Sequence, residues 1–180
     1  MRTISLLLLG SILTLTITSC GTKEAEKPEK ERINSADLYE AEKPAYDAAA
    51  INPDAAVVPI TIIADGNTMA EMKYDQKEIK VKAGTTVQLT LKNNSTDASM
   101  PHNWVLVHEG TAERVATAGI EAGKAKNYVP DSKDVLIATT MTGPGETAVI
   151  TFPAPPAGKY QFVCTYPGHW SIMNGEFIVE

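Results

Sequence analysis

Near its C-terminus the chain reads Cys164-Thr165-Tyr166-Pro167-Gly168-His169-Trp170-Ser171-Ile172-Met173, which puts a thiol, an imidazole and a thioether in one short stretch. These are side-chain types that a copper ion takes together. Thiolate and thioether sulfur favour Cu(I), imidazole suits both oxidation states, and two histidines plus one cysteine with a weak methionine make an electron-transfer copper site. The second imidazole is His102, in Met100-Pro101-His102-Asn103-Trp104-Val105-Leu106-Val107. With 3 histidines and 6 methionines in 180 residues, chance would set a His five and a Met nine positions after a given Cys about once in 1,800 trials. Taken singly, each residue has a plainer explanation. A buried cysteine is usually a small hydrophobe, and an inward histidine is usually a hydrogen-bonded core residue.

Such a site needs rigid elements to hold it, and the pattern from residue 57 onward supplies them. Short runs of alternating apolar residues are separated by Gly, Pro, Asn and Asp, as in a β-sandwich. Strands are predicted at 57–64, 77–83, 85–92, 103–108, 135–139, 146–152, 159–165 and 175–179. Ala83-Gly84, Gly143-Pro144-Gly145 and the 153–158 stretch mark turns. The long gap from Glu109 to Asp134 holds a helix candidate, residues 111–119, which packs outside the sheets. The fold class is therefore all-β, a Greek-key sandwich of about eight strands with one short helical insert. Side chains alternate faces along a strand, so His102 shares a side with Trp104 and Leu106, and Cys164 shares one with Phe162 and Tyr160. Both ligands thus point inward near strand ends.

Sixteen basic against 22 acidic residues, a net charge of −6 and no basic block exclude an electrostatic footprint for nucleic acid. The two cysteines, Cys20 and Cys164, could close at most one disulfide, which excludes a cysteine-stapled scaffold. Residues 1–19 carry Arg2 and a short apolar core, the pattern of a secretory signal peptide. Ile17-Thr18-Ser19-Cys20 resembles the bacterial lipobox, which implies lipidation of Cys20 as the mature N-terminus. Acyl chains at about 0.8 kcal/mol per buried methylene would make a stable membrane anchor when two or more are attached. Residues 20–56 are then the lipidated cysteine and a flexible charged linker, too poor in large apolar residues to bury a core. The linker would span on the order of 30 Å. The expected product is an exported protein, lipid-anchored to a bacterial membrane and facing the periplasm or cell exterior, with its functional domain at 57–180.

The segments Cys-Thr-Tyr-Pro-Gly-His-Trp-Ser-Ile-Met-Asn-Gly and Met-Pro-His-Asn-Trp-Val-Leu-Val resemble the two copper-ligand segments of azurin and of its membrane-associated relatives, the auracyanins. The resemblance covers about residues 57–180. It implies a cupredoxin fold, one type 1 copper as cofactor, and one-electron transfer between larger redox proteins. His102, Cys164 and His169 would be the equatorial ligands and Met173 the weak axial one. The Pro101 carbonyl, where azurins have a glycine, is a candidate for a very weak fifth contact. By the same resemblance the Asn103 side chain links the two ligand segments, and the backbone N–H groups of Asn103 and Tyr166 donate to the thiolate. The interval from His169 to Met173 is that of azurins, whereas auracyanins are usually a residue longer. Azurin's disulfide has no counterpart.

His169 is expected to expose one ring edge through an apolar patch of Pro101, Tyr166, Pro167, Trp170 and Ile172, where donor and acceptor proteins would dock. Trp104 reads as core packing and His108 as a surface residue. Met69, Met72, Met100 and Met141 read as core and gap fillers. A copper enzyme would need further histidines for a second centre, and only His108 is unassigned. The chain is therefore not expected to be an enzyme. The alternative within the same fold is a copper-delivery or storage lipoprotein, which favours an open, exchangeable site.

Overall fold

The computed structural model describes residues 46–180. The proposed signal segment, Cys20 and most of the linker lie outside the described residues. The described chain forms nine strands and one α-helix. In order these are β1 (Val57–Asp65), β2 (Lys73–Tyr74), β3 (Glu78–Val81), β4 (Thr86–Asn93), β5 (Val105–His108), α1 (Ala112–Ala122), a 3-10 turn (Lys124–Lys126), β6 (Val135–Ala138), β7 (Thr147–Pro153), β8 (Gly158–Val163) and β9 (Asn174–Val179). They build two sheets, β2-β1-β4-β7 and β3-β9-β8-β5-β6. The pairs β1/β4 and β3/β9 are parallel, and the others are antiparallel.

Alternation along the strands decides which side chains fill the space between the sheets. In β4, Val87, Leu89, Leu91 and Asn93 are buried while Gln88 and Lys92 are exposed. The opposite sheet contributes Trp104, Leu106, Tyr160, Phe162, Cys164 and Phe177 to the same core. Trp104 stacks on Phe162 with ring centroids 5.7 Å apart and meets Phe177 edge-on at 6.2 Å. The odd-numbered residues of β5 face the other way. Val105 and Val107 pack with Val163 against Ala112 and Val115 of α1, outside the sandwich. β5 is thus buried on both faces, which fixes the strand end that leads to His102.

Sequence and structure differ at a few places, each with a local cause. Eight strands are expected and nine are present, because the two-residue β2 is too short to carry a periodic signal. The predicted strand at 103–108 begins two residues late, since the side chain of Asn103 and the backbone around it are used in other bonds. The helix runs past Gly119 to Ala122. Gly123 ends it with φ 71°, its N–H bonded to the Gly119 carbonyl. His108 is not a surface residue but half-buried beside Tyr160. Among the methionines, Met72 and Met100 are buried as expected, Met141 is half-buried, and Met69 is 45% exposed and fills no core.

The ordered fold also reaches upstream of residue 57, into the stretch assigned to the linker. The Tyr46 hydroxyl donates to the carbonyl of Pro153 at 2.8 Å. Pro153 pairs with Thr86 at the start of β4, whereas Asn93, at the other end of that strand, supports the His102 segment. At about 3.3 Å per residue, the eight residues of β4 separate these two poles by roughly 25 Å. Among the described residues, no helix is long and apolar enough to cross a membrane.

Candidate metal centre

Strand register brings the two ligand segments together. β5 and β8 pair as Val105↔Val163 and Leu106↔Phe162. Continuing that ladder by two residues sets Asn103 opposite Thr165, and the Asn103 side chain closes the pair. Its Oδ1 accepts from the Thr165 N–H at 2.9 Å and its Nδ2 donates to Thr165 Oγ1 at 2.8 Å. The same Nδ2 donates to the Asn127 carbonyl at 2.9 Å, tying in the loop after α1. That loop approaches α1 so closely that a Cβ on Gly119 would lie 2.3 Å from the Tyr128 carbonyl oxygen, so only glycine fits there.

His102 precedes β5 and is held by paired backbone bonds with Thr142, N–H to O at 3.0 Å and O from N–H at 2.7 Å. Asn93 braces both partners, its Nδ2 donating to the carbonyls of Met100 and Thr142. On the other side, the Cys164 N–H donates to the Met173 carbonyl at 2.9 Å, so the β8/β9 ladder continues across the two sulfur residues. Between them the chain makes a helical turn. His169 N–H bonds the Tyr166 carbonyl, and Met173 N–H bonds the His169 carbonyl. This turn aims the His169 ring inward.

The result is a triangle of donor atoms. Cys164 Sγ lies 3.9 Å from His102 Nδ1 and 3.7 Å from His169 Nδ1, and the two nitrogens are 3.2 Å apart. A point equidistant from these corners is about 2.1 Å from each, within the roughly 2.0–2.3 Å that imidazole and thiolate ligands make with a neighbouring first-row metal such as zinc. His102, Cys164, His169 and Met173 all have no solvent-exposed surface. Three of the four sequence-predicted donors, His102, Cys164 and His169, therefore converge, with Met173 buried in the same core as Cys164, and their chemistry and spacing fit a single copper ion.

Burial also sets the protonation states. It lowers the His169 imidazole to about 4; His102 falls to about 4 for the same reason, with further repulsion from the facing His169 ring. Both rings are therefore neutral at pH 7 and offer lone pairs. Burial pushes the Cys164 thiol up to about 11, opposed by hydrogen bonds from the backbone N–H groups of Asn103 and Tyr166 and from the Tyr74 hydroxyl. A bound metal removes that proton by coordination. Tyr74 was missed by sequence reasoning. The only signal was that Met72 and Tyr74 are apolar residues two apart, in a stretch with no strand pattern long enough to show which way they face.

One expectation about this end of the molecule fails. His169 exposes no ring edge, and its surface is fully buried. The Tyr166 ring lies over it with centroids 4.7 Å apart, and Tyr128 packs edge-on against Tyr166 at 5.2 Å. Met69 closes in from another side, its methyl 3.1 Å from where a Cβ on Gly168 would sit. Trp170 packs in the cluster beneath α1 with Val129 and Val135. Pro101, Tyr166 and Pro167 are half-buried and Ile172 is 41% exposed.

A two-sheet β-sandwich with a Cys/His/His/Met donor set at one end defines a single-copper protein of the type 1 class. Comparison with known proteins agrees. The family model for copper binding proteins of the plastocyanin/azurin family matches residues 61–180, and the chain belongs to that family. It is 44% identical over 125 residues to Auracyanin-A of Chloroflexus aurantiacus, an alignment covering 68% of this chain and 75% of that protein. It is 38% identical over 112 residues to an azurin of Pseudomonas fluorescens biotype C, covering 58% of this chain and 88% of that protein. The solved structure of Auracyanin A, described as a "blue" copper protein from a green thermophilic photosynthetic bacterium, superposes with TM-score 0.63 at 40% identity. It covers 69% of this chain and all of that one.

The depressed histidines predict how the copper-free protein responds to acid. An unfolded imidazole takes up its proton near 6.5, whereas the folded rings do so only near 4. Between those values the unfolded state binds more protons, so stability is complete above about 6.5 and falls as pH drops toward 4. The melting temperature of copper-free protein should decline over that window. A flat profile would show that the folded rings take up protons as readily as the unfolded ones.

Proposed function

We propose that this chain is a membrane-tethered one-electron carrier whose type 1 copper is held by His102, Cys164 and His169, with Met173 as the weak fourth ligand. The observation that carries this reading is the buried donor triangle, sized for one metal ion. Copper bound there supplies a Cu(I)/Cu(II) couple. The chain's own contribution is rigidity. Electron transfer is fast when the ligands need not move between oxidation states, and each donor here is fixed by backbone pairing or by the Asn103 bridge. The N–H groups of Asn103 and Tyr166 share the thiolate's charge. The Pro101 carbonyl, next in chain to His102, remains the candidate for a fifth weak contact.

The burial of all four side chains speaks against the copper-delivery alternative, in which an incoming chaperone or acceptor must reach the ligands. It also speaks against an enzyme, which must admit a substrate. A carrier needs neither, because an electron crosses a few ångströms of packed side chain. Its partners are redox proteins that dock on the apolar surface near His169, formed by Tyr166, Pro167 and Ile172 with Met69 beside them. Tyr46, the first described residue, is bonded to Pro153, at the pole of the sandwich opposite the copper ligands. The signal segment and the lipobox support export and a lipid anchor at Cys20.

Purified protein given Cu(II) should develop the intense visible absorption of a blue copper site and bleach reversibly on one-electron reduction. A colourless copper complex would favour delivery or storage instead. Cys164→Ser should abolish the colour and leave the circular dichroism of the sandwich intact; loss of the fold would show that the cysteine is chiefly structural.

Placing a charge on the exposed docking surface, Ile172→Glu, should slow electron exchange with redox proteins while the absorption band stays in place. An unchanged rate would move the docking surface elsewhere. Mass spectrometry of the mature protein should find acyl chains on Cys20, and an unmodified terminus would remove the anchor.

A further inference from the structure

We propose that Asn93 is a positioning residue of the copper centre: it grips both the approach to His102 and the backbone partner of His102, and so sets how tightly the site holds its metal. The inference rests on the copper reading above and adds a residue to it. His102 is the one donor outside the 164–173 segment. Its distance from the others therefore depends on how separate parts of the chain pack. Asn103 ties the His102 segment to Thr165 in the Cys164 segment. Asn93, at the end of β4, ties it to the first sheet.

Asn93 stands at the strand phase that Val87, Leu89 and Leu91 give to apolar side chains in the core, yet it is a fully buried amide. Burying an amide costs stability unless its groups find partners, and here they do. Nδ2 donates to the Met100 carbonyl at 2.8 Å and to the Thr142 carbonyl at 3.0 Å, and Oδ1 accepts from the Ser95 N–H at 2.9 Å. The Asn93 backbone donates to the Glu146 carbonyl and accepts from the Gly145 N–H. The Thr142 oxygen is the same atom that accepts the His102 N–H, and Met100 lies two residues before the ligand. Ser95 carries the network outward: its hydroxyl and the Thr96 N–H both donate to Asn67 Oδ1. The 94–101 loop is thus fastened at its start and at its end.

Leucine would suit this phase as far as packing goes, as it does at 89 and 91. What the amide adds is direction, because a hydrogen bond fixes the angle and distance of a carbonyl that apolar contacts leave free to slide. With both carbonyls held, the His102 backbone keeps its place whether or not metal is present. Without these bonds the loop can carry the imidazole away from the triangle, and part of the binding free energy is then spent on reassembling the site. Asn93 acts through the His102 backbone and is not a ligand.

Asn93→Leu keeps the branched outline of the side chain and removes both donors. In the copper-free variant, hydrogen exchange at the His102 and Thr142 amides, which bond each other's carbonyls, should speed up about fivefold relative to the amides of residues 160–162, the ratio that one typical net hydrogen bond makes. With Cu(II), competition against a chelator should show an affinity about 10- to 100-fold lower. The visible band should persist, because Cys164 is untouched. Val87→Ala is the control. Val87 is buried at the other end of β4, so this change should lower the melting temperature and leave both copper affinity and the exchange ratio at 102 and 142 as they were. Asn93→Ser removes the same two amide bonds and serves where the leucine variant fails to fold. Asn93 variants whose copper affinity and exchange ratio match those of Val87→Ala would overturn the proposal and leave Asn93 a structural strut. The exchange measurement needs no metal, so the two readings fail separately: a wild-type protein that stays colourless with copper would overturn the copper reading, and this inference with it, even where exchange at 102 and 142 responds to position 93.

Discussion

Three metal-ligating atoms brought together away from water make the demand that the surrounding fold must meet. His102 Nδ1 and His169 Nδ1 sit 3.2 Å apart, both rings buried, with a sulfur under 4 Å from each. Bonds elsewhere hold them there. The Thr142 backbone grips one histidine, the 166–173 turn grips the other, and the β8/β9 ladder fixes the cysteine against Met173. The sandwich assembles this cluster from distant parts of the chain so that a metal finds its donors already in place. Preorganisation of this kind is what a fast electron carrier requires and what a metal-exchange site would lack.

Asn103 is the joint on which this depends. One amide side chain serves Thr165 twice and Asn127 once, so the His102 segment, the Cys164 segment and the loop after α1 are bound at a single point. That loop is in turn seated by the absence of a side chain at Gly119, and Asn127 Oδ1 accepts from the Met141 N–H to reach the segment that clamps His102. A buried polar network is stabilising only when all its members are satisfied, and here each bond also restrains a ligand segment. The helix outside the sheet is therefore part of the metal site's support.

Much of this was legible in the chain. The ligand set stood out because three of its four members lie within one loop, where spacing alone suffices. Strand phase gave the inward direction of His102 and Cys164, since parity is a local property. The clamp by Thr142 and Asn93 was not legible, because those residues meet His102 only through sheet pairing. Nor was Tyr74, on a strand of two residues that has no period of its own. The exposure of His169 was misjudged for the same reason: its place in the sequence is fixed, but its covering by Tyr166 is set by how the loop folds back.

The sequence by itself determined the donor types, their order and the fold class, because ligand chemistry and strand alternation are written residue by residue. The tertiary structure decided the rest: the size of the donor triangle, the dryness that keeps both imidazoles neutral and the thiol protonated until metal arrives, and the clamps that hold each ligand segment. Those are properties of distances between segments far apart in the chain. Only the packing of one sheet against the other sets such distances.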